Sequence, residues 1–181
     1  MNIPITPTDN TLGDFVFRAA DRMRIDGCTN AVAHEGLSLA LHCEHEALLD
    51  HYLGLLLTRL RLQAPEHSIE VYFPTNTDSL LGRFNDALAQ QSVAEATRNP
   101  ADARRAQIWI VHDAHALPDA EIQLLARLIQ NFPGANIRAI LLMSGQQSAH
   151  HKLSAFGRRI LRWDIEVPNP EQAQAALDQA N

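Results

Sequence analysis

The chain has little of what secreted and membrane-spanning proteins depend on. It contains two cysteines, Cys28 and Cys43, too few for the disulfide framework of a small secreted domain. No apolar run approaches the roughly 20 residues that cross a bilayer. The N-terminus also lacks the basic and apolar regions of a signal peptide. We therefore expect a cytoplasmic protein that does not itself insert into a membrane.

Positive charge is scarce as well. There are 15 lysines and arginines against 21 aspartates and glutamates, a formal net charge of −6. This balance argues against a nucleic-acid surface built on bulk positive potential. Apolar residues make up 46% of the 181 residues, enough for one globular domain with its own core. We predict an extended segment over 1–10 and a single domain over 11–181.

Strand and helix patterns alternate along this domain. Short apolar runs predict five strands, at 37–41, 68–73, 108–111, 136–144 and 159–167. Apolar residues at helical spacing predict helices at 12–26, 47–62, 79–91, 118–131, 148–156 and 170–180, with Gly27 ending the first. Such alternation is typical of a parallel sheet covered on both faces. The predicted class is α/β, a three-layer α/β/α fold around a five-stranded, mostly parallel sheet.

The first strand–loop–helix unit is where a nucleotide-binding protein of this class carries a glycine-rich phosphate loop, often with a lysine. Here residues 42–46 contain neither glycine nor lysine, and carry His42, Glu44 and Glu46. Carboxylates at a helix N-terminus already interact with its dipole and repel phosphate. Without glycine, the turns of positive φ that aim backbone N–H groups inward are hard to form. We predict that this loop does not bind ATP in the usual way.

The third predicted strand ends in a second polar stretch, His112-Asp113. A nucleotide hydrolase needs carboxylates there to hold Mg²⁺ and to orient water. His112 is a poor ligand for Mg²⁺, which prefers oxygen. Asp113 keeps one carboxylate, although the same residue also suits a turn before the helix at 118.

Several stretches resemble AAA+ ATPases. Ile108–Leu117 resembles the Walker B strand, in which four apolar residues precede an acidic pair, an alanine, a histidine or glutamine, and a leucine. In this correspondence His112 falls on the magnesium aspartate and Asp113 on the catalytic glutamate. Ala139–Gly145 resembles the sensor-1 strand, with Ser144 near its polar position. The resemblance spans about residues 12–180 and includes general secretion pathway A-type ATPases and non-hydrolysing clamp-loader subunits.

The resemblance implies a degenerate AAA+-like domain without ATP hydrolysis or a bound cofactor. It implies a protein partner, such as an active ATPase subunit or a membrane-associated assembly of the secretion type, and leaves homo- and hetero-oligomers open. Gly157–Trp163 lies where such domains carry an arginine finger. Arg158, Arg159 and Arg162 are therefore candidate contacts to a partner or a phosphate, or else a solvated surface cluster.

Other interpretations remain open at this stage. Besides the non-hydrolysing clamp-loader-like subunit, Arg83–Asp86 matches the short R-x-x-D pattern of some cyclic-dinucleotide sites and would suit a regulatory nucleotide-binding domain. Metal-capable side chains also recur, at His42, Cys43, Glu44, His45, His51, His112 and His115. They show no recurring ligand spacing, so we predict no metal site.

Overall fold

The computed structural model describes residues 15–72, 80–89, 105–132, 135–145 and 150–180. The strands are β1 (Ser38–Cys43), β2 (Ser68–Tyr72), β3 (Gln107–Val111), β4 (Ile137–Ser144) and β5 (Ile160–Ile165). The helices are α1 (Ala19–Ala33), α2 (Glu46–Gln63), α3 (residues 80–89), α4 (Asp119–Asn131) and α5 (Pro170–Ala180), with 3₁₀ helices at Ala114–Ala116 and His150–Phe156. The segment predicted to be extended, 1–10, lies outside the described residues.

The five strands form one sheet in the order β2-β3-β4-β1-β5, and all four pairings are parallel. Parallel neighbours need crossover connections, which the helices between the strands supply. All strands therefore end at one side of the sheet, the carboxyl edge, and begin at the opposite side, the amino edge. The predicted α/β class with a five-stranded parallel sheet is confirmed.

Successive residues of β3 show how the three layers are built. Ile108 and Ile110 belong to the core that the sheet shares with α1 and α2. Trp109 and Val111 belong to the core shared with α3 and α4. Because side chains alternate between the faces of a strand, a strand covered on both faces must be apolar throughout. This is why the central strands appear in the sequence as unbroken apolar runs.

The first helix differs from its prediction, because α1 runs from Ala19 to Ala33 and Gly27 lies inside it. A helical glycine costs about 1 kcal/mol relative to alanine. Burial of Ile25 and Val32, both fully buried on one face, contributes about 1.5–3 kcal/mol each and outweighs that cost. Arg18 is extended rather than helical, and its guanidinium instead reaches Glu166 and the start of α5.

The first strand is also longer than predicted. Residues His42 and Cys43, expected in a loop, continue β1 to Cys43. Both pair with β4 on one side and with β5 on the other. A central strand gains ladder hydrogen bonds from both neighbours, so the polar His42 stays in the sheet. The start of α5 does follow its prediction. The Oδ1 of Asn169 accepts from the backbone N–H of Gln172 at 2.8 Å and caps the helix.

We expect the stability of the fold to decline in alkaline solution. Burial raises the pKa of the Cys28 thiol from 9.0 to about 11. A group whose pKa is higher in the folded state than in the unfolded state contributes fully to stability below its unfolded-state pKa. This contribution is lost as the pH rises through the folded-state pKa. Urea unfolding followed from pH 9 to pH 11 should show falling stability, less steeply in Cys28→Ala. An identical pH dependence in that variant would contradict the assignment to Cys28.

Candidate functional site at the carboxyl edge

The residues predicted to handle nucleotide lie at the carboxyl edge, where β1, β3 and β4 end. Because β4 lies between β3 and β1 in the sheet, the polar stretches after β1 and β3 are not direct neighbours. The last residue of β4, Ser144, and the following Gly145 separate them. The end of β4 therefore lies between the two predicted stretches.

The connection from β1 to α2 consists of Glu44 and His45 only. His45 is the N-cap residue, with φ −105° and ψ 120°, and its side chain makes no capping bond. Glu44 and Glu46 are exposed, and Glu46 lies in the first turn of α2. A carboxylate in this position is favoured by the partial positive charge of the helix N-terminus.

His42 joins three strands. Its Nε2 lies 2.9 Å from the carbonyl oxygen of Gly145. Because a carbonyl only accepts, Nε2 must carry the proton, which leaves Nδ1 without one in the neutral ring. This Nδ1 lies 3.6 Å from the carboxylate of Asp164 on β5, a pair that is attractive only when the ring carries a second proton. With 15% of its side chain exposed, His42 is occupied by contacts within the fold.

The stretch after β3 is a tight turn. Asp113 has left-handed backbone angles, φ 53° and ψ 40°, and its carbonyl accepts from the N–H of Ala116 at 2.9 Å. Aspartate tolerates this conformation better than most residues with a side chain. The carboxyl group of Asp113 is exposed and makes no capping bond, and His112 is half-buried. The geometry turns the chain abruptly from β3 towards α4.

His115 fastens this turn to β4. Its ring Nδ1 accepts from the backbone N–H of Ser144 at 3.2 Å. Ser144 is the residue that matched the sensor-1 position in the sequence, and its N–H is thus taken up by a side chain of the β3–α4 connection. Together His42 and His115 hold the end of β4 from its two sides.

Lys152, from the 3₁₀ helix His150–Phe156, also binds the connection between β3 and α4. Its Nζ donates to the carbonyl oxygens of His115 and Leu117, at 2.7 Å each. The carboxylate of Asp119 lies 3.8 Å away, and 15% of the lysine side chain is exposed. Sequence reasoning missed this residue, since a single lysine more than thirty positions along the chain carries no spacing signal.

The remaining metal-capable side chains do not converge. His51 Nε2 lies 2.7 Å from the carbonyl oxygen of Phe15. Within the described residues, no three histidine, cysteine, aspartate or glutamate side chains are arranged to hold a metal ion. Of the predicted site residues, the structure thus brings His42 to the end of β4 and leaves Glu44, Glu46 and Asp113 exposed nearby.

The three predicted arginine contacts lie elsewhere. Arg158 and Arg159 immediately precede β5 and are at the amino edge, opposite the predicted nucleotide site. Arg162 lies within β5, an edge strand. All three are exposed, and their guanidinium groups make no hydrogen bond or ion pair within the described part of the chain. They can contact a partner or ligand but not the carboxyl edge of their own sheet.

Arg83, the first residue of the R-x-x-D pattern, is engaged within the fold. Its guanidinium donates to Glu70 at 3.1 Å and lies over the rings of Tyr72 and Trp109, 5.4 and 5.2 Å from their centroids. A stacked and ion-paired arginine stabilises the contact between α3 and β2. A ligand at this arginine would have to replace these contacts.

Comparison with known proteins places the fold. No family model matches the chain, and no curated protein matches it. RIF2 of Saccharomyces cerevisiae superposes with a TM-score of 0.59 at 10% identity, over 94% of this chain and 64% of that one. A chain of the Drosophila ORC structure bound to AT-rich DNA and Cdc6 gives 0.55 at 13% identity, over 94% and 32%. Cdc6p of Pyrobaculum aerophilum gives 0.52 at 12% identity, over 95% and 53%.

These similarities define an AAA+/P-loop NTPase-like fold and confirm the predicted resemblance at that level. The chain spans less than two thirds of each of the three structures. None of the helices in the described ranges is both long and apolar enough to cross a membrane.

Replacing Lys152 should loosen the β3–α4 connection. Lys152→Met keeps the length of the side chain and removes two charge-assisted hydrogen bonds, so we expect a loss of about 2 kcal/mol in the free energy of unfolding. The control Asp119→Asn removes the longer contact and one negative charge from the first turn of α4, and it should cost about 1 kcal/mol or less. Urea denaturation measures both, and equal losses in the two variants would contradict this role of Lys152.

Proposed function

We propose that this chain is a catalytically silent AAA+-like domain that acts by binding a protein partner. The observation that carries the proposal is the connection between β1 and α2. This connection contains two residues, Glu44 and His45. The phosphate loop of a nucleotide-binding protein, in contrast, follows a pattern of about eight residues, G-x-x-x-x-G-K-[ST]. A two-residue connection cannot fold around a triphosphate and offers no lysine to its terminal groups.

Electrostatics at this position favour the same conclusion. A carboxylate about 4 Å from one phosphate charge costs on the order of 4 kcal/mol at the effective dielectric near a protein surface. The helix N-terminus returns only about 0.3–1 kcal/mol in exposed settings. Glu44 and Glu46 are both exposed beside the start of α2. Repulsion therefore exceeds what the helix dipole of α2 contributes.

The groups that would assist hydrolysis are also altered. The imidazole of His112 stands in place of an oxygen ligand for Mg²⁺, which leaves Asp113 as a single carboxylate. The backbone N–H of Ser144 is bonded to His115, and His42 is bonded to Gly145. These contacts support a carboxyl edge at which the end of β4 is bonded to His42 and His115 rather than to a nucleotide.

The proposed partner is a protein, either an active ATPase subunit or a membrane-associated assembly such as a secretion complex. Support for a role in assembly comes from similar folds, since one of them belongs to the structure of Drosophila ORC bound to AT-rich DNA and Cdc6. The layer formed by α1 and α2 offers a contact surface. Met23 and Leu62 are 78% and 77% exposed, and each stands three positions from a member of the Asp26–Arg59 ion pair that joins these helices.

A nucleotide panel followed by thermal unfolding tests the proposal. A ligand present at about 100 times its dissociation constant adds about 2.7 kcal/mol of stability, a shift of several degrees in a domain of this size. We expect no such shift from ATP with Mg²⁺ or from a cyclic dinucleotide. ATP turnover that is abolished in Asp113→Ala would show that the domain is an enzyme.

The partner is tested by affinity capture with the tagged full chain. The wild type and Asp113→Ala should retain the same protein, with or without ATP and Mg²⁺, because the carboxyl edge takes no part in the contact. The double variant Met23→Asp/Leu62→Asp should lose it. Retention that depends on ATP, or that is lost in Asp113→Ala, would contradict the proposal.

A further inference from the structure

The helix α5 is joined to the domain at its first turn, where residues 166–169 connect it to β5. Among its side chains in the described part of the chain, Gln172 and Ala173 are half-buried and none is fully buried. A helix of 11 residues is only marginally stable in water without such packing. The direction of α5 therefore depends on the contacts made where the helix begins.

Arg18 supplies contacts of this kind. Its guanidinium forms an ion pair with the carboxylate of Glu166. Its Nη2 donates to the carbonyl oxygen of Val167 at 3.4 Å, and Nε and Nη2 both donate to Oε1 of Gln172 at 3.3 Å. The same Oε1 accepts from the backbone N–H of Asn169 at 3.0 Å. One rigid guanidinium thus binds both the connection after β5 and the first turn of α5.

Arg18 is itself fixed to the body of the domain. Its carbonyl oxygen accepts from the backbone N–H of Asp21, in the first turn of α1, at 3.0 Å. The preceding residue, Phe17, donates its backbone N–H to Oη of Tyr52 at 3.1 Å. Tyr52 belongs to α2 and is buried in the core. The guanidinium therefore reaches α5 from a backbone position that α1 and α2 determine.

An open cavity of about 270 Å³ lies between α5 and the start of α1. Phe15, Phe17 and Ala19 line it on one side, and Gln172 and Ala175 line it on the other. Close-packed elements leave few voids larger than a water molecule between them. Beyond its first turn, α5 is thus not close-packed against the start of α1 and has room to move towards it.

The ion pair within these contacts is open to solvent on one side. The side chain of Arg18 is 25% exposed, whereas that of Glu166 is 74% exposed. Ions in solution screen a pair of this kind. The hydrogen bonds to Val167 and Gln172 are long for N–H···O bonds, so they add little to the strength of the ion pair.

We propose that Arg18, Glu166, Val167 and Gln172 form a releasable latch that sets the direction of α5. While the latch is closed, α5 leaves the domain in one direction and the cavity beside it stays open. When another anion takes the guanidinium, α5 turns about residues 166–169. Neither Met23 nor Leu62 belongs to the latch, so the inference does not rest on the proposed function.

Hydrogen–deuterium exchange of the full chain, followed by mass spectrometry, tests the latch. Arg18→Gln should raise the exchange rate of the α5 amides about tenfold, because it removes the charge-assisted contacts that hold the first turn. The amides of β1 and β4 should exchange as they do in the wild type. Sodium chloride at about 0.5 M should speed exchange of α5 in the wild type, since it screens the ion pair. The same salt should have little effect in Arg18→Gln.

Two further variants separate a latch from a general loss of stability. Arg24→Gln removes the same charge from an exposed residue of α1 and should leave exchange of α5 unchanged. Glu166→Gln keeps Arg18 and reduces the ion pair to a neutral hydrogen bond, so it should give a smaller rise that is confined to α5. The proposal is overturned if exchange of α5 is unchanged in Arg18→Gln or rises equally in Arg24→Gln. It is also overturned if exchange rises as much in β1 and β4 as in α5, or if salt leaves exchange of α5 in the wild type unchanged.

Discussion

The two-residue connection between β1 and α2 is the constraint on which the proposed loss of nucleotide binding depends. Where β1 meets a helix after only Glu44 and His45, the chain has no length with which to surround a phosphate group. Consequences extend to the neighbouring strands. His42 stays in the ladder of β1 and bonds the carbonyl of Gly145, so the end of β4 is held against β1. A longer, glycine-rich loop would place its backbone donors in this region instead.

Side chains also hold the end of β4 on the side that faces β3. His115 accepts from the N–H of Ser144, and Lys152 donates to the carbonyl oxygens of His115, within the 3₁₀ turn, and of Leu117, just after it. In a hydrolase of this fold a magnesium ion supplies positive charge near the end of the corresponding strand. Here a lysine ammonium of the chain itself supplies positive charge beside that strand. Contacts among the chain's own residues thus stabilise the carboxyl edge.

The sheet could be predicted from the sequence because strands buried on both faces are mostly apolar, and the runs Ile108–Val111 and Ala139–Met143 show this pattern. Local sequence signals gave wrong element boundaries where tertiary packing outweighed local preference. Gly27 suggested the end of a helix, yet burial of Ile25 and Val32 carries α1 through it. The polar His42 suggested a loop, yet pairing on both sides keeps it in β1.

The rest of the candidate sites could not be predicted, because they depend on strand order. Nothing in the sequence states that β4 lies between β3 and β1, and this alone decides that His42 and His115 meet Ser144 and Gly145 rather than each other.

The central claim is that the carboxyl edge no longer receives nucleotide, and chemical-shift mapping of the isotope-labelled chain tests it residue by residue. ATP with Mg²⁺ should leave the backbone amide resonances of Glu44, Glu46, His112 and Asp113 unchanged. Saturable shifts at the β1–α2 connection and at Asp113 together would contradict the claim and show that this edge still binds nucleotide.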